Sequence, residues 1–175
     1  MTLTTQFTTK LDIVKDVLFV NGSFAYVANR NNKDGAQLSV PYRKGPETPV
    51  LYQNSVSSAY FDNTEASTAT FDAYVTFHKL FDDKHDFTAM VGYNQENWRE
   101  SYEYAQRKDL ITDGLPTPNL ATGDMTVTQR VRDLSFRSVF GRLNYTYDNR
   151  YILAVNARYD GTSRFPTDSR FVFNP

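Results

Sequence analysis

The sequence predicts an all-β fold: an antiparallel meander of about six long strands with short turns and long loops, of a kind that suits part of a transmembrane β-barrel. Three observations predict it. Apolar and polar residues alternate with a period of two along several stretches, tight polar turns join these stretches in pairs, and two long polar connections separate the pairs.

The first stretch covers 3–13. Its odd positions read Leu3, Thr5, Phe7, Thr9, Leu11, Ile13 and its even positions Thr4, Gln6, Thr8, Lys10, Asp12. A period of two places the sets on opposite faces of a sheet. Val14, Lys15 and Asp16 offer a turn, and alternation resumes with Leu18, Val20, Gly22, Phe24, Tyr26 and Ala28 against Phe19, Asn21, Ser23, Ala25 and Val27. Asn21-Gly22 is a turn signal, but a strand of about 12 residues with a tolerated glycine fits the barrel pattern better. The second pair spans 69–95: Phe71, Ala73, Val75, Phe77, a turn at Asp82, Asp83 and Lys84, then Phe87, Ala89, Val91, Tyr93. The third is the clearest. Val139, Gly141, Leu143, Tyr145 and Tyr147 oppose Ser138, Phe140, Arg142, Asn144 and Thr146; after Asp148, Asn149 and Arg150, Tyr151, Leu153, Val155, Ala157 and Tyr159 oppose Ile152, Ala154, Asn156, Arg158 and Asp160.

The connections at 30–68 and 96–133 hold Pro41, Pro46, Pro49, Pro116 and Pro118, and both exceed the ~12–15 residues usual for loops in compact domains. Short turns at one end and long loops at the other is the asymmetry of an outer-membrane barrel, and Tyr147, Tyr151 and Tyr159 sit where an aromatic girdle would lie. The opposite face carries Arg142, Asn144, Asn156 and Arg158, acceptable beside a water-filled lumen and not against lipid. Alternation alone leaves a soluble β-sandwich or small barrel open, since each also has one wet face.

Composition narrows the function classes. The 175 residues carry 19 basic and 20 acidic side chains, a net charge of -1, which argues against a nucleic-acid binder. Mean hydropathy is -0.55, yet aromatics reach 15%, too many for a disordered chain. Absence of cysteine excludes disulfides, thiolate metal sites and a thiol nucleophile within these residues. No run of ~18 apolar residues encodes a transmembrane helix. The first residues have no basic start and no apolar core, so they do not read as a signal peptide. This excludes a complete, conventionally exported precursor as an expectation but leaves an internal fragment of one open.

Chemical motifs are few. His78 and His85, with Asp82, Asp83 and Asp86 nearby, match no tight metal-ligand spacing, and no metal or cofactor is expected. Asp160, Gly161, Thr162 and Ser163 lack the Gly-x-Ser-x-Gly elbow and the P-loop lysine; they read as a turn leaving a strand, with Gly161 supplying a permissive backbone. Glu100 and Glu103 read as loop carboxylates rather than glycosidase acids. The sequons at Asn21 and Asn144 fall inside predicted strands. Aromatic residues of the long connections, Trp98, Tyr102, Tyr104, Tyr52 and Tyr60 together with Tyr42, are candidate substrate or lid contacts, because aromatic faces stack on sugars and hold peptide side chains; the plainer reading is that they pack the loops together.

The stretch Phe140-Gly-Arg-Leu-Asn-Tyr-Thr-Tyr-Asp-Asn-Arg-Tyr-Ile-Leu-Ala-Val-Asn-Ala-Arg-Tyr-Asp-Gly-Thr-Ser-Arg-Phe-Pro166 closely resembles the SusC/RagA family of TonB-linked outer-membrane proteins, above all in Asn156-Ala-Arg-Tyr-Asp-Gly-Thr-Ser-Arg-Phe165. Lys84-His85-Asp86 and Met90-Val-Gly-Tyr-Asn-Gln-Glu96 resemble the preceding family hairpin. The resemblance implies a large transmembrane barrel of about 22 strands closed by a plug. It implies active import of glycans or oligopeptides without catalysis, working with a SusD-like surface lipoprotein and the TonB-ExbB-ExbD complex in the outer-membrane lipid. On it, residues 1–175 are expected to be part of the barrel domain only, with plug, TonB box and further strands absent, since about eight strands is the smallest usual closed barrel. Arg142, Asn144, Asn156 and Arg158 are expected to face the lumen and Val139, Leu143, Tyr145, Leu153 and Val155 the lipid. The competing expectation is a soluble or cell-surface β-sandwich that binds glycans.

Overall fold

A computed structural model describes residues 1–175. It contains β1 (Thr2–Val14), β2 (Leu18–Gln37), β3 (Val40–Tyr42), β4 (Leu51–Gln53), β5 (Ser58–Phe81), β6 (His85–Lys108), β7 (Met125–Tyr147), β8 (Tyr151–Thr162) and β9 (Phe171–Asn174), with single 3-10 turns at Pro118–Leu120 and Thr167–Ser169. One seven-stranded sheet has the order β1-β2-β5-β6-β7-β8-β9, and β3 pairs only with β4. Apart from the β3–β4 hairpin, strands adjacent in sequence are adjacent in the sheet, as a meander requires. Six of the seven are long; β9 is a short seventh. The other sheet is a single two-stranded hairpin, too small to form the second layer of a β-sandwich.

The three predicted hairpins form, with Asn21 and Gly22 inside an unbroken β2. The predicted long loops are the correction. Residues 30–37, 58–68, 96–108 and 125–133 continue the strands, so β5 and β6 reach 24 residues each. The connections shrink to 38–57, which holds the β3–β4 hairpin, and 109–124.

The turns explain the hairpin register. Asp82 and Asp83 have φ of 49° and 53°, as do Asp148 and Asn149. Lys84 N–H donates to Phe81 O at 3.1 Å and Arg150 N–H to Tyr147 O at 2.9 Å. Two left-handed residues closed by such a bond make the two-residue type I′ turn, whose twist matches that of the flanking strands. Asp and Asn tolerate this region because their short polar side chains can bond locally.

The chain divides into two compact units: Met1, 29–66 and 100–132 in one, and 2–28, 67–99 and 133–175 in the other. In the first, the buried apolar residues are Ala59, Ala105 and Ala121. In the second, large apolar side chains stand exposed along the odd positions of β1, β5, β6, β7 and β8, Phe7 at 67% and Val91 at 62% among them. Rings on this face pair across strands instead of sinking into a core: exposed Phe71 with half-buried Tyr93 at 6.4 Å, and half-buried Phe77 with Phe87 at 6.1 Å. The even positions carry Gly92, where a Cβ would stand 2.3 Å from Phe140 Cζ and 2.8 Å from Tyr74 Cβ, so the ring of Phe140 occupies the space a side chain would take.

Accessible surface totals 12703 Å², against about 8,700 Å² for a globular monomer of this mass. The excess is what an apolar face without a second layer produces.

Two outcomes follow. Gly92→Ala should destabilise the folded protein by about 1–3 kcal/mol through overpacking. Gly141→Ala, whose Cβ would meet only Met90 O at 3.6 Å, should stay within about 0.5 kcal/mol of the parent; denaturant titration of the full-length protein in detergent compares them. Expressed alone, the chain should enter inclusion bodies, because β1 and β9 leave unpaired edges that template aggregation. A monodisperse soluble monomer in size-exclusion chromatography would contradict this.

Candidate functional site

The polar positions of the second unit form connected networks. The β7–β8 register sets Arg142 opposite Asn156, Phe140 opposite Arg158 and Ser138 opposite Asp160. Leu143 opposes Val155, Tyr145 opposes Leu153 and Val139 opposes Tyr159. Directly opposed residues share a face. The two side-chain sets separated in the sequence therefore lie on opposite faces of this hairpin. Asp160 is the hub of the polar one: its carboxylate accepts from Ser138 Oγ and Arg158 Nε, each at 2.5 Å, and from Asn174 Nδ2 at 3.2 Å. Arg158 also donates to Ser138 Oγ at 3.0 Å, and Ser138 is buried. Arg142 Nε donates to Asn144 Oδ1 at 3.2 Å. Further along the sheet, Asp72 accepts from Asn94 Nδ2 at 2.7 Å and Ser23 Oγ at 3.3 Å.

Beside the Asp160 hub lies an open cavity of about 480 Å³, where Glu96, Arg158 and Arg170 meet Phe136, Phe165 and Val172. The Asn156–Phe165 motif builds one wall. Arg158 and Asp160, two apart on a strand, share a face. Gly161 has no positive φ: it lies within β8, and its role is close approach, since a Cβ there would meet Phe171 Cε1 at 2.3 Å. This corrects the reading of Gly161 as a turn glycine. Ser163 serves as backbone closure, its N–H donating to Ser135 O and its Oγ accepting from Ser135 N–H, both at 2.9 Å.

In the first unit, a cavity of about 400 Å³ is lined by Thr64, Glu100, Tyr102, Thr128, Arg130 and Arg132. Tyr60 stacks on Tyr104 with centroids 6.2 Å apart and lies over Gly35. Of the aromatic contact candidates, Tyr60, Tyr102 and Tyr104 thus stand on β5 and β6 rather than in loops. Tyr52, 60% exposed, stands on β4, and Tyr42 on β3. Trp98 is half-buried on the part of β6 that belongs to the second unit.

The other motifs resolve into local pairs. His78 Nε2 lies 3.0 Å from Asp86 Oδ1, and His85 Nδ1 lies 2.7 Å from Tyr145 Oη, so each histidine has its own partner. Glu100 faces Arg132 at 3.7 Å, while Glu103 accepts from Gln129 at 3.3 Å; three apart on one strand, the two carboxylates project to opposite faces. Asp160, Ser138, Glu96 and the Arg130–Arg132 pair were not among the site residues expected from sequence. The Arg-x-Asp spacing of Arg158 and Asp160 was the available signal for the first.

No family model matches the chain. TonB-dependent receptor P3 of Formosa agariphila is 28% identical over 132 residues, which is 74% of this chain and 13% of that protein. TonB-dependent receptor SusC of Bacteroides thetaiotaomicron is 29% identical over 142 residues, 78% of this chain and 14% of that protein. The chain therefore spans about a seventh of the curated relatives it matches. The solved RagAB peptide transporter superposes with a TM-score of 0.83 at 18% identity, covering 97% of this chain and 18% of that one. The 'closed-closed' state of the RagAB peptide importer gives 0.83 over 98% of this chain. Sequence and fold thus bear out what the motif ending at Pro166 implies: the chain is similar to a stretch of the SusC-type TonB-dependent receptors, and its sheet matches a portion of such a barrel.

Proposed function

We propose that residues 1–175 form part of the wall of an outer-membrane TonB-dependent importer, a partial barrel domain completed by strands and a plug outside these residues. The whole protein imports glycans or oligopeptides without catalysing a reaction, with a SusD-like lipoprotein at the surface and the TonB-ExbB-ExbD complex supplying energy. The observation that carries the reading is a single antiparallel meander with one face of exposed large apolar side chains and one of hydrogen-bonded polar groups, joined to a fold match covering nearly the whole chain.

The energetics orient the faces. An arginine at the midplane of a barrel's lipid face costs about 2–4 kcal/mol. Arg142 and Arg158 therefore belong in the wet lumen, with Asn144 and Asn156, and Val139, Leu143, Tyr145, Leu153 and Val155 against lipid. β8 has 12 residues, enough to cross, since about 9–11 tilted residues span a bilayer. The aromatic cluster of Tyr147, Tyr151 and His85, with His85 and Tyr147 centroids 4.9 Å apart, sits at a hairpin end, where a girdle meets the headgroups.

Single cysteines test the orientation in the full-length protein. Arg142→Cys, Asn144→Cys, Asn156→Cys and Arg158→Cys should react with a water-soluble thiol reagent, while Leu143→Cys, Leu153→Cys and Val155→Cys should not. Equal labelling of both sets would mean two wet faces and would end the membrane-barrel reading.

A further inference from the structure

We infer that the cavity of the first unit is a carboxylate-selective ligand subsite. Arg130 and Arg132, two apart on β7, present their guanidinium groups to one face, and both line a cavity of about 400 Å³. That volume falls within the range of small-ligand sites. Arg132 meets Glu100 only at 3.7 Å, with two-thirds of its side chain exposed. Arg130 has no carboxylate within ion-pair distance. The lining therefore holds two cations and one anion, a surplus of one positive charge. Asp62, the next even-numbered residue of β5, lies outside the lining.

The neutral lining groups suit the same ligand. Thr64 and Thr128 offer hydroxyls, and Tyr102 adds a phenol and a ring. A guanidinium binds a carboxylate through a planar fork of donors, so an unpaired arginine beside hydroxyls fits a single carboxylate carried on a polar, hydroxyl- or amide-rich body. A neutral ligand would leave Arg130 without a counter-charge. The site lies between β5, β6 and β7, inner strands with a partner on each side, so it does not depend on a sheet edge.

A peptide and an acidic glycan both carry carboxylates, and the test separates them. The full-length protein in detergent is titrated calorimetrically with two matched pairs: tetragalacturonate against neutral galactotetraose, and a glutamate-containing tetrapeptide against its glutamine counterpart with an amidated C-terminus. The acidic member of at least one pair should bind more tightly, and which pair shows it identifies the source of the carboxylate. Arg130→Gln should weaken that member about 10- to 100-fold, the range for a hydrogen bond to a charged group, and leave the neutral member unchanged. Glu100→Gln, which releases Arg132, should strengthen the acidic member, a gain that misfolding cannot imitate. Absence of acidic preference in both pairs, equal loss of both members in Arg130→Gln, or weaker acidic binding in Glu100→Gln would overturn the inference. The inference concerns binding at this cavity alone, so its failure is distinct from a failure of the importer reading, which the cysteine labelling decides.

Discussion

Everything in this chain depends on a hydrogen-bonded ladder that has no second layer behind it. In an ordinary sheet, apolar side chains on one face sink into a core and supply most of the stability. Here the buried apolar residues are three alanines, and large aliphatic and aromatic groups stay exposed along the strands, most of them on odd positions. Backbone pairing and cross-strand side-chain contacts are what remain, and each such pair contributes about 0.2–1 kcal/mol. The economy of the core follows: within these residues the sheet's large apolar groups find no layer to sink into.

Two kinds of cross-strand contact divide the labour in the second unit. On one face aromatic rings meet in pairs, Tyr159 stacking on Phe171 with centroids 5.1 Å apart and Phe77 meeting Phe87 edge-on. On the other, carboxylates act as hubs that collect donors from neighbouring strands, Asp72 from β2 and β6, Asp160 from β7 and β9. Polar hubs of this kind fix register, because a slip of one residue would carry each carboxylate to the apolar face. Glycines at 92 and 161 serve the same end by admitting the rings of Phe140 and Phe171 against the backbone.

The Arg-Tyr-Asp-Gly-Thr-Ser-Arg-Phe motif owes its character to these demands. Arg158 and Asp160 supply the hub, Tyr159 projects to the opposite face and stacks on Phe171, and Gly161 makes room for that ring. Ser163 closes onto Ser135 from both its amide and its hydroxyl, and Phe165 offers its carbonyl to Arg170 Nε at 3.1 Å. What resembles a nucleophile loop in sequence is the closure of one strand and the launch of the next.

The sequence by itself determined the strand type, the three hairpins, their turns and the separation of Arg142, Asn144, Asn156 and Arg158 from Leu143, Leu153 and Val155. Those features rest on local chemistry: side chains alternate with period two, and Asp-Asp and Asp-Asn accept left-handed backbone. Only the tertiary structure decided how far the strands run and which polar residues meet. From 58 to 68 and from 96 to 108 both parities carry polar residues, as in Asp62, Asn63, Thr64 and Glu65. Alternation is visible only where two faces differ in polarity, whereas a ladder extends through backbone bonds that every residue but proline can make. The meeting of Arg130 and Arg132 with Glu100 and Tyr102, and of Ser138 with Asp160, was likewise hidden, because it depends on the register between strands that the chain visits many residues apart.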